Sequence, residues 1–322
     1  MKDSEARNSE ILFIYDAKLC NPNGDPDEEN KPRMDYDTSR NLVSDVRLKR
    51  YIRDYLMSKG YQIWVSKLED RTVDATKRLQ MLAEQYQELM KKKVNISKAD
   101  TDFINWLLDA LIDVRLFGAT MPIKGEEERR RGGGGIAFTG PVQFSWGYSL
   151  NPVEIVPSST ITSTFAGRGE EYGTMGKDWR VYYSLIAFYG IVSGKRAEKT
   201  RLSNNDVLLL DNLLIKAISS EATTRSKLGQ IPRLLLRIEY ANEFYIGDLR
   251  RYVSIKSLEN KDITSLRDIN DFELDITNLT QILFDKKSMI EKIYLWKHPE
   301  LKLEGEFKDE LRNKIQLLPH MS

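Results

Sequence analysis

The sequence predicts an α+β fold, and three observations carry that prediction. Three runs rich in β-forming residues, ILFIYDAKL at 11–19, VYYSLIAFYGIV at 181–192 and IPRLLLRIEY at 231–240, read as buried strands. Two stretches with helical periodicity, 41–59 and 203–218, lie between such runs. Hydrophobic residues make up 41% of the 322 positions and charged residues 30%, the balance of a folded chain with a sizeable core.

In chain order, the first strand runs into Asn21-Pro22-Asn23-Gly24-Asp25-Pro26, a segment made almost wholly of turn-forming residues. The helix at 41–59 follows and stops at Gly60. Residues 61–65 form a short apolar segment expected to be the next strand. Two helices are expected at about 72–93 and 98–116, the second capped by Ser97 or Thr101. KGEEERRRGGGG at 124–135 is a charged, then glycine-rich, surface loop. The alternation in 136–150 suggests strand, and 155–179 reads as a long hairpin with its tip near 167–176. Ser203 caps the helix at 203–218, with Asp206 at its positive end. Beyond Tyr240 the pattern gives short elements of no evident order. Without the insertions the order is strand, helix, strand, strand, helix, strand, the βαββαβ pattern of ferredoxin-like and RNA-recognition folds. The helical block at 72–116 and the hairpin at 155–180 would be insertions on that sheet.

Composition removes several classes of chemistry. Cys20 is the only cysteine, which excludes a disulfide framework or a thiolate metal site within one chain and suits a reducing cytoplasm. The two histidines, His298 and His320, both fall near the C-terminus, so histidine-based catalysis or metal binding has little material. No metal or cofactor is expected. No apolar run approaches the length of a membrane span, and the polar, acidic start does not resemble a signal peptide. The net charge of +1 hides a local split: residues 1–30 hold three basic and eight acidic side chains, residues 31–60 eight and four. A protein tracking phosphates along one groove needs only local positive charge.

Four features could carry function. On the helix at 41–59, Arg47, Arg50 and Asp54 share a polar arc at 100° per residue. Val46, Leu48, Ile52, Tyr55 and Leu56 fall largely opposite, with Lys49 and Arg53 at the edge. This is either a solvated face with an Arg50–Asp54 pair or a phosphate-tracking face suited to arginine's fork. In the loop at 21–29, Asp25, Asp27, Glu28 and Glu29 suggest carboxylate chemistry, but no second acidic cluster completes a cation site. A tight turn is the plainer reading. The segment from Thr224 to Arg233 places Arg225, Ser226, Lys227, Gln230 and Arg233 between a helix and a strand, where backbone amides also face anions. It lacks GxxxxGK[ST], which argues against nucleotide hydrolysis and leaves RNA backbone or a plain surface loop. At the hairpin tip, Arg168 and Lys177 could meet phosphate, while Phe165, Tyr172 or Met175 could wedge against bases.

Taken together, NPNGDPD at 21–27, KPRMDYDTSRNLVSDVRLKRYIRDYL at 31–56, DVRLFGA at 113–119, FTGPVQFSWG at 138–147, RGEEYGTMGKDWRVYYSLIAFYG at 168–190 and RSKLGQIPRLLLRIEY at 225–240 resemble one family. It is the Cascade backbone family of type I CRISPR systems, the seventh Cas protein family, and the resemblance is nearest its I-B branch. The family belongs to the RAMP superfamily and serves antiviral defence. The resemblance spans about 11–240.

It implies a hand-like architecture: an RNA-recognition-like palm, a helical finger and a long β-hairpin thumb. On this sequence the palm would comprise 1–65, 117–154 with its Gly-rich loop, 181–240 and a C-terminal extension at 241–322. The finger would be 66–116 and the thumb 155–180. The implied function is holding crRNA, with copies stacking as a helical filament and presenting the guide to target DNA, without catalysis. Implied partners are crRNA, target DNA through the guide, other copies of the chain, and the large, guide-end capping and guide-processing subunits. RNA-contacting residues would be Asn21, Asn23, Arg33, Arg40, Ser44, Arg47, Lys49, Arg50, Gln143, Arg168, Lys177, Arg225, Ser226, Lys227, Gln230 and Arg233, with Phe165 and Met175 as base wedges. Two alternatives stay open. One is a type III-like endoribonuclease using Asp25; the other is a stand-alone RNA-recognition module.

Overall fold

The structure is a computed structural model that describes residues 6–65, 67–68, 71–72, 74–94, 100–122, 135–157, 159–162, 175–259 and 261–319. It is a mixed α+β fold with a central, largely antiparallel sheet. The chain divides into two compact units, one of 1–8, 52–143 and 191–213, the other of 9–51, 144–190 and 214–322.

The second unit holds the main sheet. Its elements are β1 (Ser9–Cys20), β2 (Arg40–Val43), α1 (Asp45–Ser58), β3 (Gly147–Ser149), β4 (Val181–Val192), α2 (Asn204–Glu221), β5 (Gln230–Tyr240), β6 (Ile290–Lys297) and β7 (Ile315–Leu317), of which α1, β4 and α2 run on into the first unit. The strand order is β7-β6-β5-β1-β4-β3-β2, with Met34–Asp35 on the outer side of β2. β1 is buried along nearly its whole length because both its faces are covered, so its apolar residues run on rather than alternate. Leu12 and Ile14 join one core with Tyr183, Leu185, Leu234, Leu236 and Ile238. Phe13 and Tyr15 stack in line on β1 with centroids 6.1 Å apart, and Tyr15 stacks on Phe188 at 6.3 Å. The β1–β5 register slips between Ile14 and Tyr15, where Tyr15 meets Pro232. Proline has no N–H for the ladder, and a bulge is where a sheet accommodates it.

Residues beyond Tyr240, unordered by pattern alone, cover one face of this sheet. Leu249, Phe272, Leu274, Leu279 and Leu283 pack into the same core as β1 and β5. Each fully buried side chain of this kind contributes about 1.5–3 kcal/mol. The supporting elements are a helix, Thr277–Asp285, and a small sheet of Ser254–Ser257, Phe272–Asp275 and Leu303–Glu304.

The strand expected at 61–65 does not form. The Asp113 carboxylate takes the amides of Trp64 (2.7 Å) and Val65 (3.3 Å), and Ile63 and Trp64 bury their side chains, so this stretch has no free ladder edge. β3 occupies the place beside β4 instead. The helix expected from 41 begins at Asp45, because Arg40–Val43 pairs with β3 as strand. Gly60, at φ +82°, follows its end.

In the first unit, Ala75–Met90 and Thr101–Ala110 are helices whose apolar faces meet through Leu79, Leu82, Tyr86, Phe103 and Leu107. Tyr86 meets Phe103 edge-on at 5.3 Å. Asp100, rather than Thr101, caps the second helix by accepting from the Asp102 amide, while Ser97 lies outside the described residues. A carboxylate there also favours the helix dipole. The Ser203 and Asp206 side chains each accept from the other's amide, at 3.1 and 3.0 Å, a reciprocal cap for α2. Gly118–Pro122 pairs antiparallel with Gly135–Thr139, and the basic and glycine-rich loop at 124–134 lies outside the described residues.

Candidate nucleic-acid interface

Within the second unit, four stretches of chain converge: the end of β1 with its following loop, the start of α1, the segment entering β4, and the loop entering β5. Backbone bonds stitch the first to the last. The Lys18 amide donates to the Gly229 carbonyl at 2.9 Å and the Asn21 amide to the Ser226 carbonyl at 2.8 Å. Gly229 sits at φ +112°, and a Cβ there would lie 2.4 Å from the Lys18 oxygen, so only glycine permits this approach. The Lys227 ammonium adds a third tie, donating to the Asn21 carbonyl at 2.6 Å.

The turn-rich loop after β1 folds into a small hairpin, Gly24–Asp25 against Lys31–Pro32. Asn23 Oδ1 accepts from both the amide and the hydroxyl of Ser44, each at 2.9 Å, which anchors the loop to the first turn of α1. Asp25 accepts from the Asp27 amide at 3.1 Å and from Arg33 Nη1 at 2.9 Å. The one carboxylate that could have served a catalytic reading is thus engaged in a turn and an ion pair. Among the described residues no cluster of three acidic, histidine or cysteine side chains is placed to hold a metal ion.

On α1, Arg47 lies over the Tyr51 ring at 4.1 Å, and Tyr51 accepts from Gln230 Nε2 at 3.0 Å. Burial raises the Tyr51 hydroxyl's pKa and keeps it protonated. Lys49 is buried and pairs with Asp45 at 3.0 Å. Val46, expected on the apolar side, is 64% exposed; the buried arc is Leu48, Lys49, Tyr51, Ile52, Tyr55 and Leu56. Arg47, Arg50 and Asp54 are half-buried on the more open arc.

The segment entering β4 supplies further cations. Thr160–Thr162 pairs antiparallel with Met175–Lys177, and bonds from Asp178 to Ser159 and from Val156 to Arg180 continue the pairing. Arg180, not singled out by pattern, donates through Nε and Nη2 to the same Asp178 oxygen, Oδ2, at 3.0 and 2.8 Å and to the Leu19 carbonyl at 2.6 Å. Arg225 lies 3.6 Å from the same Asp178 carboxylate and keeps 62% of its side chain exposed. Lys177 and Lys31 lie over the Trp179 ring at 5.8 and 5.6 Å. Phe165 and Arg168 lie outside the described residues, as does the side chain of Met175.

Two properties mark this place as more than a scaffold. Lys227 is half-buried, and burial followed by repulsion from Arg47 lowers its pKa to about 8. An anion that neutralises either cation would relieve that repulsion. In addition, Asn21 Oδ1, Arg33 Nε, Arg47 Nε, Trp179 Nε1 and Gln230 Oε1 are buried without a hydrogen-bond partner. Only Tyr15 and Arg78 add to that set among the described residues. Each such atom costs about 1–3 kcal/mol, and leaving five of them on these converging stretches gives up stability that an external partner can restore.

The remaining candidates sit elsewhere or are differently employed. Arg233 is 4% exposed and binds Asp16 at 2.8 Å and Glu300 at 2.6 Å, so its charge is spent inside the protein. Arg40 donates to the Ser149 carbonyl at 2.5 Å beside the Tyr148 ring, in a recess also lined by Asp35 and Arg250. Gln143 lies in the first unit and donates to the Gly140 carbonyl at 2.9 Å. No described helix is long and apolar enough to cross a membrane.

The comparisons with known proteins agree with the sequence resemblance. The family described as CRISPR-associated protein Cas7 matches residues 7–277. A CRISPR-associated protein Cas7 of Haloferax volcanii is 36% identical over 332 aligned positions, covering 98% of this chain and 93% of that protein. Two solved structures, one titled CRISPR RNA-guided surveillance complex and one CRISPR RNA-guided surveillance complex, pre-nicking, align at 13% identity and a TM-score of 0.48. They cover 93% of this chain and 95% and 96% of theirs. On the family match and the full-length Haloferax relative, the chain belongs to the CRISPR-associated Cas7 family.

Proposed function

We propose that the chain is a crRNA-binding backbone subunit of a type I CRISPR surveillance (Cascade) complex, of the I-B branch, and that it performs no catalysis. Copies would line up along one guide RNA in the cytoplasm and leave the bases available to target DNA. The large, guide-end capping and guide-processing subunits would complete the assembly. Family membership supports the assignment, and one observation on the molecule carries it. Four distant stretches are tied into a floor where Lys227 and Arg47 repel one another and three donors, Arg33 Nε, Arg47 Nε and Trp179 Nε1, lack partners. Such a floor suits a phosphate backbone, whose oxygens accept from every donor it offers.

In this reading β5-β1-β4-β3 is the palm of ferredoxin-like, RNA-recognition type, in the spatial order fourth, first, third, second. The finger is 66–116 and the thumb 155–180. Arg47, Lys177, Arg225 and Lys227 contact phosphates, joined by Arg33 and Arg180 at the rim. Asn23 and Ser44 hold the loop on α1, and Arg233 belongs to the palm's interior. A type III-like nuclease would need a free Asp25, and here that carboxylate is bound by Arg33.

The test is the salt dependence of RNA binding. Arg47→Ala should weaken binding about tenfold for every guide sequence tried and lower the salt slope by about one. An unchanged slope, or a loss confined to some sequences, would remove Arg47 from the phosphate floor.

A further inference from the structure

The floor offers acceptors as well as donors, and a phosphate answers only the donors. The Asn21 and Gln230 side chains are 1% and 3% exposed. Their amide orientations are fixed by what their nitrogens do. Asn21 Nδ2 donates to the Asn30 carbonyl at 2.7 Å. Gln230 Nε2 donates to the Lys227 carbonyl at 2.9 Å and the Tyr51 hydroxyl at 3.0 Å. Turning either amide over would set its oxygen against a carbonyl, so the oxygens are the unpartnered atoms. Both belong to the stitched pair of loops: Asn21 is tied to Ser226 and Lys227, and Gln230 to Lys227.

A ligand that completes this floor must therefore bring protons to Asn21 Oδ1 and Gln230 Oε1. Phosphate oxygens at neutral pH have none to give. Base N–H groups differ from one nucleotide to the next, which a chain binding guides of any sequence cannot rely on. The ribose 2′-hydroxyl is present at every nucleotide of RNA and at none of DNA, and it can donate.

We propose that Asn21 and Gln230 select ribose over deoxyribose, each side-chain oxygen accepting a hydrogen bond from a guide 2′-hydroxyl. This rests on the guide-binding reading and adds to it the determinant of sugar identity. The Lys227 ammonium donates to the Asn21 carbonyl, so a phosphate that draws this ammonium acts on the same residue whose side-chain oxygen would take the sugar hydroxyl. Arg47, Lys227, Arg225 and the other cations serve RNA and DNA alike.

The experiment compares the full chain's affinity for a single-stranded RNA of mixed sequence with that for its 2′-fluoro counterpart. Fluorine preserves the ribose pucker and phosphate charge but cannot donate. The unaltered chain should bind the 2′-fluoro strand roughly tenfold more weakly, the cost of leaving buried acceptors unpaired. The Asn21→Leu, Gln230→Met double variant should bind both strands equally, with the wild-type salt slope. Equal binding of the two strands by the unaltered chain overturns the inference while leaving guide binding intact. A double variant that keeps the preference also overturns it. If neither strand binds, the guide-binding reading fails and takes this one with it. Should the double variant not fold, the fluoro comparison on the unaltered chain decides alone.

Discussion

Lys227 is the residue at which the account becomes quantitative. Its ammonium is half-buried beside Arg47, and its pKa falls to about 8. A phosphate favours the charged form, so binding RNA raises that pKa and draws in a proton when the free amine is neutral. Affinity is therefore full below pH 8 and declines above it, by at most about tenfold per pH unit for one proton. Binding isotherms at pH 7 and pH 9 should show this, and Lys227→Arg, which stays charged, should flatten the profile. A wild-type affinity unchanged between those pH values would mean that Lys227 does not meet the guide. Asp25 supports the opposite expectation. Its carboxylate holds the loop and Arg33, so Asp25→Ala should leave the fate of complementary RNA unchanged in a cleavage assay. RNA cleavage by the unaltered protein that disappears in Asp25→Ala would make the chain a nuclease.

Legibility of the elements depended on how local their causes are. β1, β4, β5 and the body of α1 are continuous apolar or periodic runs, and all four are legible from the residues alone. The segment at 61–65 looks equally strand-like, but Asp113, far along the chain, takes its amides and no periodicity announces that. The same limit applies to single side chains. Arg233 sits in a cationic run, and only the register of β5 against β1 and the approach of Glu300 reveal it as an internal ion pair. Arg180 and Tyr51 read as ordinary strand and helix residues until the fold sets them against Leu19, Asp178 and Gln230. The cationic loop and helix were legible; their stitching was not. At this scale the thumb reading makes its own prediction. Replacing 163–174 by a short turn should leave the thermal unfolding of the palm unchanged, because Thr160–Thr162 and Met175–Lys177 already pair below it. Regular protection of guide RNA should be lost. Protection that survives the deletion would show that the hairpin does not set the spacing.

For the whole molecule, charge is distributed as an interface rather than as a total. With a net charge of only +1, the chain still brings together cations from residues 31–47, 177–180 and 225–227, with Asp25 and Asp178 paired among them, and in the proposed function that local excess is what faces RNA. The C-terminal region after Tyr240 contributes by covering the sheet that fixes these stretches relative to one another. The central claim, that copies of this chain line one guide, is tested most directly by purifying the native particle and digesting its RNA with a nuclease. The expected result is a large particle whose RNA is cut, if at all, at one regular interval independent of sequence. A chain that elutes as a monomer, with RNA protected over a single short site or with no RNA, would contradict it.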